Sequence, residues 1–211
     1  MGDEFTVSLR SCWCCHQQAD KGPIADAIHL NFVFHSVAIN YTYHPQFVTA
    51  TVFEWKHLLK EDEFKDIVIR SLQFLKNEGS VVIYSYVIMP NHIHLIWQIQ
   101  DGFKQDVIQM RFLKFTSQQM KFKLIDSKND FLNEFLVDLT DRKYQFWKRN
   151  SLSVDLWSDD VFMQKLDYIH NNPIHEKWKL AEYPENYRYS SARFYLGGHD
   201  EFNLVTHYNG S

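Results

Sequence analysis

The stretch Tyr86-Val87-Ile88-Met89-Pro90-Asn91-His92-Ile93-His94-Leu95-Ile96-Trp97 decides how the rest of the chain reads. Residues 81–89 are apolar and β-branched enough for a central strand. Pro90-Asn91 breaks it, and residues 92–100 return as an antiparallel partner. Side chains alternate across a strand, so His92 and His94 share a face about 6–7 Å apart, while Ile93 and Leu95 point into a core. Two imidazoles placed this way can serve one metal ion.

Working outward, residues 47–53 are rich in valine, threonine and phenylalanine and read as a first strand. Residues 60–77 carry Phe64, Ile67, Val68, Leu72 and Leu75 at helical spacing, and Gly79 stands where a C-terminal glycine belongs. Beyond the histidine strand, Asp101-Gly102 is turn chemistry. Residues 106–124 fit a helix with Val107, Met110, Phe115 and Met120 among basic residues. Residues 125–144 are mixed and polar, an insertion or mobile connection. Short extended pieces are expected at 145–147 and 154–157. Ser158-Asp159-Asp160 is a helix start, with Ser158 as N-cap, and Pro173 stops that helix near Asn172. The order β-α-β-β-α, then an edge strand and a last helix, predicts an α+β fold. Its core is ferredoxin-like or RRM-like, with an antiparallel sheet and a C-terminal helix that carries Tyr168. Residues 1–40 read as an appendage with a loose strand at 29–40, residues 41–200 as the main domain, and 201–211 as a tail.

A chain of 211 residues, 45% hydrophobic and 16% aromatic, is long and apolar enough for a real core and excludes a disordered class. No run reaches the roughly 18–20 apolar residues of a membrane span, and no signal-peptide pattern opens the chain, so a cytoplasmic protein without membrane partners is expected. Cys12, Cys14, Cys15 and His16 cluster, but structural zinc pairs have wider spacing and a second pair elsewhere, so reduced thiols are expected. The formal charge of −4 argues weakly against nonspecific nucleic-acid binding. Two basic stretches run against it. One carries Arg111, Lys114, Lys121 and Lys123. The other carries Arg142, Lys143, Lys148 and Arg149 around Tyr144, Phe146 and Trp147.

On the last helix, Tyr168 and Asn172 are four apart and share a face, with Gln164 one turn earlier and Leu166 and Ile169 on the buried side. Met89-Pro90-Asn91-His92-Ile93-His94-Leu95, followed by Tyr168-Ile169-His170-Asn171-Asn172-Pro173, resembles the REP-associated tyrosine transposases, single-tyrosine transposases of the HUH nuclease superfamily. Lys114-Phe115-Thr116-Ser117, Phe146-Trp147 and Pro184-Glu185-Asn186-Tyr187-Arg188-Tyr189-Ser190-Ser191-Ala192 resemble further family segments, so the likeness spans residues 45–197. It implies that His92 and His94 are metal ligands and Tyr168 the nucleophile. A polar side chain one turn after the tyrosine completes the metal site in related enzymes, which falls on Asn172 here, with Gln164 and His170 as weaker candidates. The chain departs from the family at Ile174-His175-Glu176-Lys177-Trp178 and has no counterpart for its first forty residues.

The resemblance implies a metal-dependent single-stranded DNA endonuclease and strand transferase that forms a 5′-phosphotyrosyl intermediate on hairpin-containing DNA. Two imidazoles and an amide suit Mn²⁺ at least as well as Mg²⁺, so either divalent metal fits. Lys114, Lys121, Arg142, Lys148 and Arg149 are the expected phosphate contacts, with Thr116 beside them. Phe146 and Trp147 are either base-stacking platforms or core. The resemblance implies single-stranded or hairpin DNA as the partner, and a monomer or homodimer working in the cytosol and on the nucleoid is expected. Two other readings are a hairpin DNA- or RNA-binding regulator that has lost cleavage, and a relaxase or replication-initiator nickase. The latter often has a third histidine or second tyrosine, and Tyr168 has no such neighbour in its helix.

Overall fold

A computed structural model describes residues 43–210. The cysteine cluster and the strand expected at 29–40 lie outside these residues. The described chain runs β1 (Gln46–Thr51), α1 (Asp62–Asn77), β2 (Val81–Ile88), β3 (His92–Ile99), α2 (Gln105–Asp126), β4 (Leu136–Leu139), β5 (Arg142–Tyr144), β6 (Leu152–Asp155) and α3 (Asp159–Asn171). The main sheet has the order β2-β3-β1-β6 with every neighbour antiparallel. Placing each crossover's returning strand one position away is the split βαβ plan expected from the sequence.

The two faces of the sheet bury different cores. Ile93, Leu95, Trp97 and Ile99 of β3 join Val48 and Ala50 of β1 and the apolar stripes of α1 and α2 in the larger core. On α1 the stripe is Phe64, Ile67, Val68, Leu72 and Leu75, as its spacing requires. On α2 it is Ile108, Phe112, Thr116, Met120 and Leu124, a strict four-residue repeat. Val107, Met110 and Phe115, expected among the packing residues, are exposed, because the helix turns its threonine inward instead. The opposite face carries Phe47, Val87, Met89 and Ile96, and on it α3 lays Phe162, Leu166 and Ile169. Each such side chain contributes about 1.5–3 kcal/mol when fully buried, which fixes α3 against the histidine face.

Residues 125–144 are ordered by contacts that local sequence does not display. A 3₁₀ segment, Asp130–Phe135, delivers Phe135 into the core, where it stacks on Phe146 with ring centroids 4.6 Å apart. The β4–β5 hairpin follows. Residues 187–206 cover the open edge of β2. Ile88 donates its N–H to Tyr189 O, Ser191 donates to Tyr86 O, and Thr206 donates to Ile83 O. Leu204 and Val205, in the segment read as a tail, are buried there. An unpaired edge strand is thereby closed to other chains.

Candidate active site

Helix α3 starts where the sequence says it should. Ser158 accepts a hydrogen bond from the Val161 N–H, and Asp159 and Asp160 face the positive end of the helix dipole. Once Phe162, Leu166 and Ile169 are buried, the face one step round the helix overhangs the strand histidines. Tyr168 lies on it, half exposed, with its ring centroid 5.2 Å from that of His94. Asn172 caps the helix one turn later and is buried. His92, His94, Tyr168, Asn172 and Gln164 line one cleft of about 630 Å³.

The histidine rings are 4.8 Å apart and each is held from behind. Asn91 Nδ2 donates to the Trp55 carbonyl, so its Oδ1 is the acceptor for His92 Nδ1–H at 2.7 Å. That bond leaves His92 Nε2 with its lone pair free. Cross-strand pairing puts Thr49 opposite His94, and Thr49 Oγ1 lies 2.8 Å from His94 Nδ1. Phe47 stacks against the same ring at 5.2 Å. Burial, then the charge of Lys177, lowers the His92 pKa to about 4. Burial, then His92 and Lys165, lowers His94 to about 3. Both rings are therefore neutral near pH 7, the form that binds a metal.

The residues present fit a divalent cation. Asn172 Oδ1 is buried without a hydrogen-bond partner, and the Asn172 side chain lies close enough to favour the charged form of His92. A buried amide oxygen without a donor costs about 1–3 kcal/mol, and a cation would satisfy it. Among the described residues no three histidines, cysteines or acids converge, which leaves a side-chain amide oxygen such as that of Asn172 as the candidate third ligand from the protein.

Several residues at this cleft carry no local sequence signal. Lys165 Nζ stands 5.0 Å from the Phe47 ring and 5.9 Å from the Tyr168 ring. Trp55 is 54% exposed and edge-on to His92 at 6.4 Å. Its backbone, with that of Glu54, is in the left-handed region at φ 58° and 53°. That conformation costs a non-glycine residue about 1–2 kcal/mol. Trp178, from the segment that departs from the family pattern, approaches His92 from another side at 5.6 Å. Thr49 and Asn91 also escaped the sequence reading. The register of β1 on β3 and the return of the chain at Trp55 are long-range facts.

The expected DNA contacts divide. Lys114, Arg142, Lys148 and Arg149 line a second cleft of about 750 Å³ between α2 and the residue 141–151 segment. Lys121 is outside its lining, with Nζ over the Phe122 ring. Thr116 requires correction, and for Phe146 and Trp147 burial selects the second of the two expected roles. Thr116 is fully buried, donating to Phe112 O and accepting from Trp147 Nε1 at 2.9 Å. Phe146 and Trp147 are 3% and 6% exposed, so neither offers a ring face to a base. They are core. His170 is also turned away from the cleft, with Nε2 3.0 Å from Ser191 Oγ, and burial lowers its pKa to about 4.

No family model matches the chain, and no curated protein matches it. Solved structures do. A REP-associated tyrosine transposase bound to a REP hairpin superposes with a TM-score of 0.55 at 15% identity, covering 82% of this chain and 93% of that one. A proposed transposase from Deinococcus radiodurans R1 aligns at 14% identity with a TM-score of 0.42, covering 62% of this chain and 92% of that one. No helix among the described residues is long and apolar enough to cross a membrane. The chain has the fold of a REP-associated tyrosine transposase.

Proposed function

We propose that this protein is a metal-dependent single-stranded DNA endonuclease and strand transferase, with Tyr168 as nucleophile and His92, His94 and Asn172 as ligands for Mg²⁺ or Mn²⁺. The observation that carries this reading is the convergence of two neutral imidazoles, a partnerless amide oxygen and a tyrosine in one cleft. The hairpin bound by the structural neighbour supports DNA as the substrate.

A bound divalent cation supplies charge neutralisation at the nonbridging phosphate oxygens and polarises phosphorus. The protein's own groups do the rest. Asn91 and Thr49 hold the imidazoles in place. Tyr168 Oη attacks phosphorus. The bond from oxygen to phosphorus forms as the bond from phosphorus to the 3′-oxygen breaks, leaving a 5′-phosphotyrosyl link. The phenolic proton passes to solvent at the half-exposed ring, and the departing 3′-oxygen takes up a proton. The reverse attack by a second 3′-OH rejoins strands without a nucleotide cofactor. Lys165, beside Tyr168, places positive charge where the phosphate arrives. Lys114, Arg142, Lys148 and Arg149 hold flanking phosphates.

The test is incubation with hairpin-bearing single-stranded DNA and Mn²⁺ or Mg²⁺, scored for a denaturant-stable protein–DNA adduct. The wild type forms it, Tyr168→Phe does not, and His92→Ala loses cleavage while retaining most DNA binding. An adduct at wild-type level in Tyr168→Phe overturns the assignment of the nucleophile. Tight binding without cleavage would make the protein a hairpin-binding regulator.

A further inference from the structure

We propose that Trp55 is a stacking platform for a base of single-stranded DNA, standing where the strand leaves the tyrosine cleft and enters the basic cleft beside α2. The inference deepens the nuclease reading and rests on it for the identity of the DNA.

Trp55 is a large apolar ring, 54% exposed, on a turn whose backbone is strained at two successive residues. Solvent exposure does nothing to offset that strain. The turn is over-determined by its surroundings: Trp55 N–H donates to Val52 O, and Asn91 Nδ2 donates to Trp55 O at 3.0 Å. The amide that holds the ring of His92 therefore also holds the turn that presents Trp55. Strained conformations kept in place this way gather at ligand-binding sites.

The ring also has the right neighbours. It lines the tyrosine cleft. Lys148 Nζ lies 6.0 Å from its centroid, and Lys148 lines the basic cleft. The two clefts are joined by backbone bonds, from Phe53 N–H to Phe146 O and from Lys148 N–H to Thr51 O. Lys148 and Lys114 have no carboxylate within ion-pair distance among the described residues. An exposed indole beside an unpaired ammonium offers the two things a single strand presents surfaces for, a base face and a phosphate. A duplex keeps its base faces covered and cannot use the indole. With Phe146 and Trp147 in the core, Trp55 takes the stacking role that the sequence had offered to them.

The experiment uses the full chain carrying Tyr168→Phe, so that affinity is read without cleavage. Fluorescence anisotropy with a labelled oligothymidylate should show Trp55→Ala weakened about five- to hundredfold, Trp55→Phe close to the parent, and duplex binding the same in all three. Photocrosslinking of the parent with 5-iodouracil-substituted oligonucleotide should map to residue 55, which needs no substitution at that residue. Unchanged oligothymidylate affinity in Trp55→Ala, or crosslinks confined to other residues, overturns the platform. Adduct formation by the unsubstituted protein is scored in parallel. No adduct with a Trp55-dependent affinity removes the nuclease reading and keeps the platform. An adduct formed equally well when Trp55→Ala is made alone, with Tyr168 intact, together with unchanged affinity in the Tyr168→Phe background, removes the platform and keeps the nuclease.

Discussion

Replacing Asn91 by alanine should weaken metal binding at the proposed site more than its distance from the free nitrogens of His92 and His94 suggests. The side chain is 3% exposed and makes two hydrogen bonds, one to His92 Nδ1 at 2.7 Å and one to Trp55 O at 3.0 Å. Losing both leaves a buried imidazole N–H and a carbonyl unpaired, at about 1–3 kcal/mol for each group that water cannot reach. The ring of His92 then loses the contact that fixes its tautomer, and removing such an outer-shell partner costs about 10–100-fold in metal affinity. Mn²⁺ titration followed by electron paramagnetic resonance should show that loss, and thermal unfolding a fall of several degrees. Asn91→Asp separates the roles. A carboxylate still accepts from His92 but cannot donate to Trp55 O, so it should recover the Mn²⁺ affinity and not the stability. Wild-type Mn²⁺ affinity in Asn91→Ala would refute the positioning role.

Asn172→Leu should leave the metal-free protein as stable as the wild type or more so, since it removes a buried oxygen without a donor, yet abolish Mn²⁺ binding; a clear drop in melting temperature with Mn²⁺ affinity retained would contradict it. Thr116→Val keeps the shape of the α2 stripe and orphans Trp147 Nε1–H, so calorimetry should register a loss of about 1–3 kcal/mol. His92, His94 and His170 have folded pKa values lowered to about 4, 3 and 4, below the ordinary 6.5. The unfolded chain binds more protons between those values, so stability is complete above about pH 6.5 and falls as pH drops toward 4. At pH 5 the loss is on the order of 2 kcal/mol per histidine, and denaturant titrations of metal-free protein at pH 7 and 5 measure the sum.

How much of this was legible in the sequence depends on how far each determinant reaches along the chain. Helix α3 was legible because Ser158, the two aspartates and Pro173 act within a few residues of it. The pairing of His92 with His94 followed from a two-residue period. On α2 the pattern misled, because Thr116 counts as polar until its hydroxyl is seen bonded inside the core to Phe112 O and Trp147 Nε1. Residues 125–144 looked like a connection because Phe135 finds Phe146 only through tertiary contact. Trp55 was invisible for a different reason. Nothing local marks a tryptophan for a left-handed backbone, and the bond from Asn91, in the β2–β3 hairpin, that helps hold that turn is a long-range contact.

The segment that covers β2 also steadies the candidate site. Every group assigned to the chemistry is synthesised by residue 172, yet helix α3 is braced by what comes later. Tyr187 donates to Ile88 O, Ser191 meets His170, and Tyr187 and Tyr195 pack on the smaller core. A nascent or truncated chain ending near residue 180 would own its tyrosine, histidines and asparagine without holding them to a common geometry. A truncation near residue 180 is therefore expected to loosen α3 and disorder the cleft, although every residue that lines it is retained.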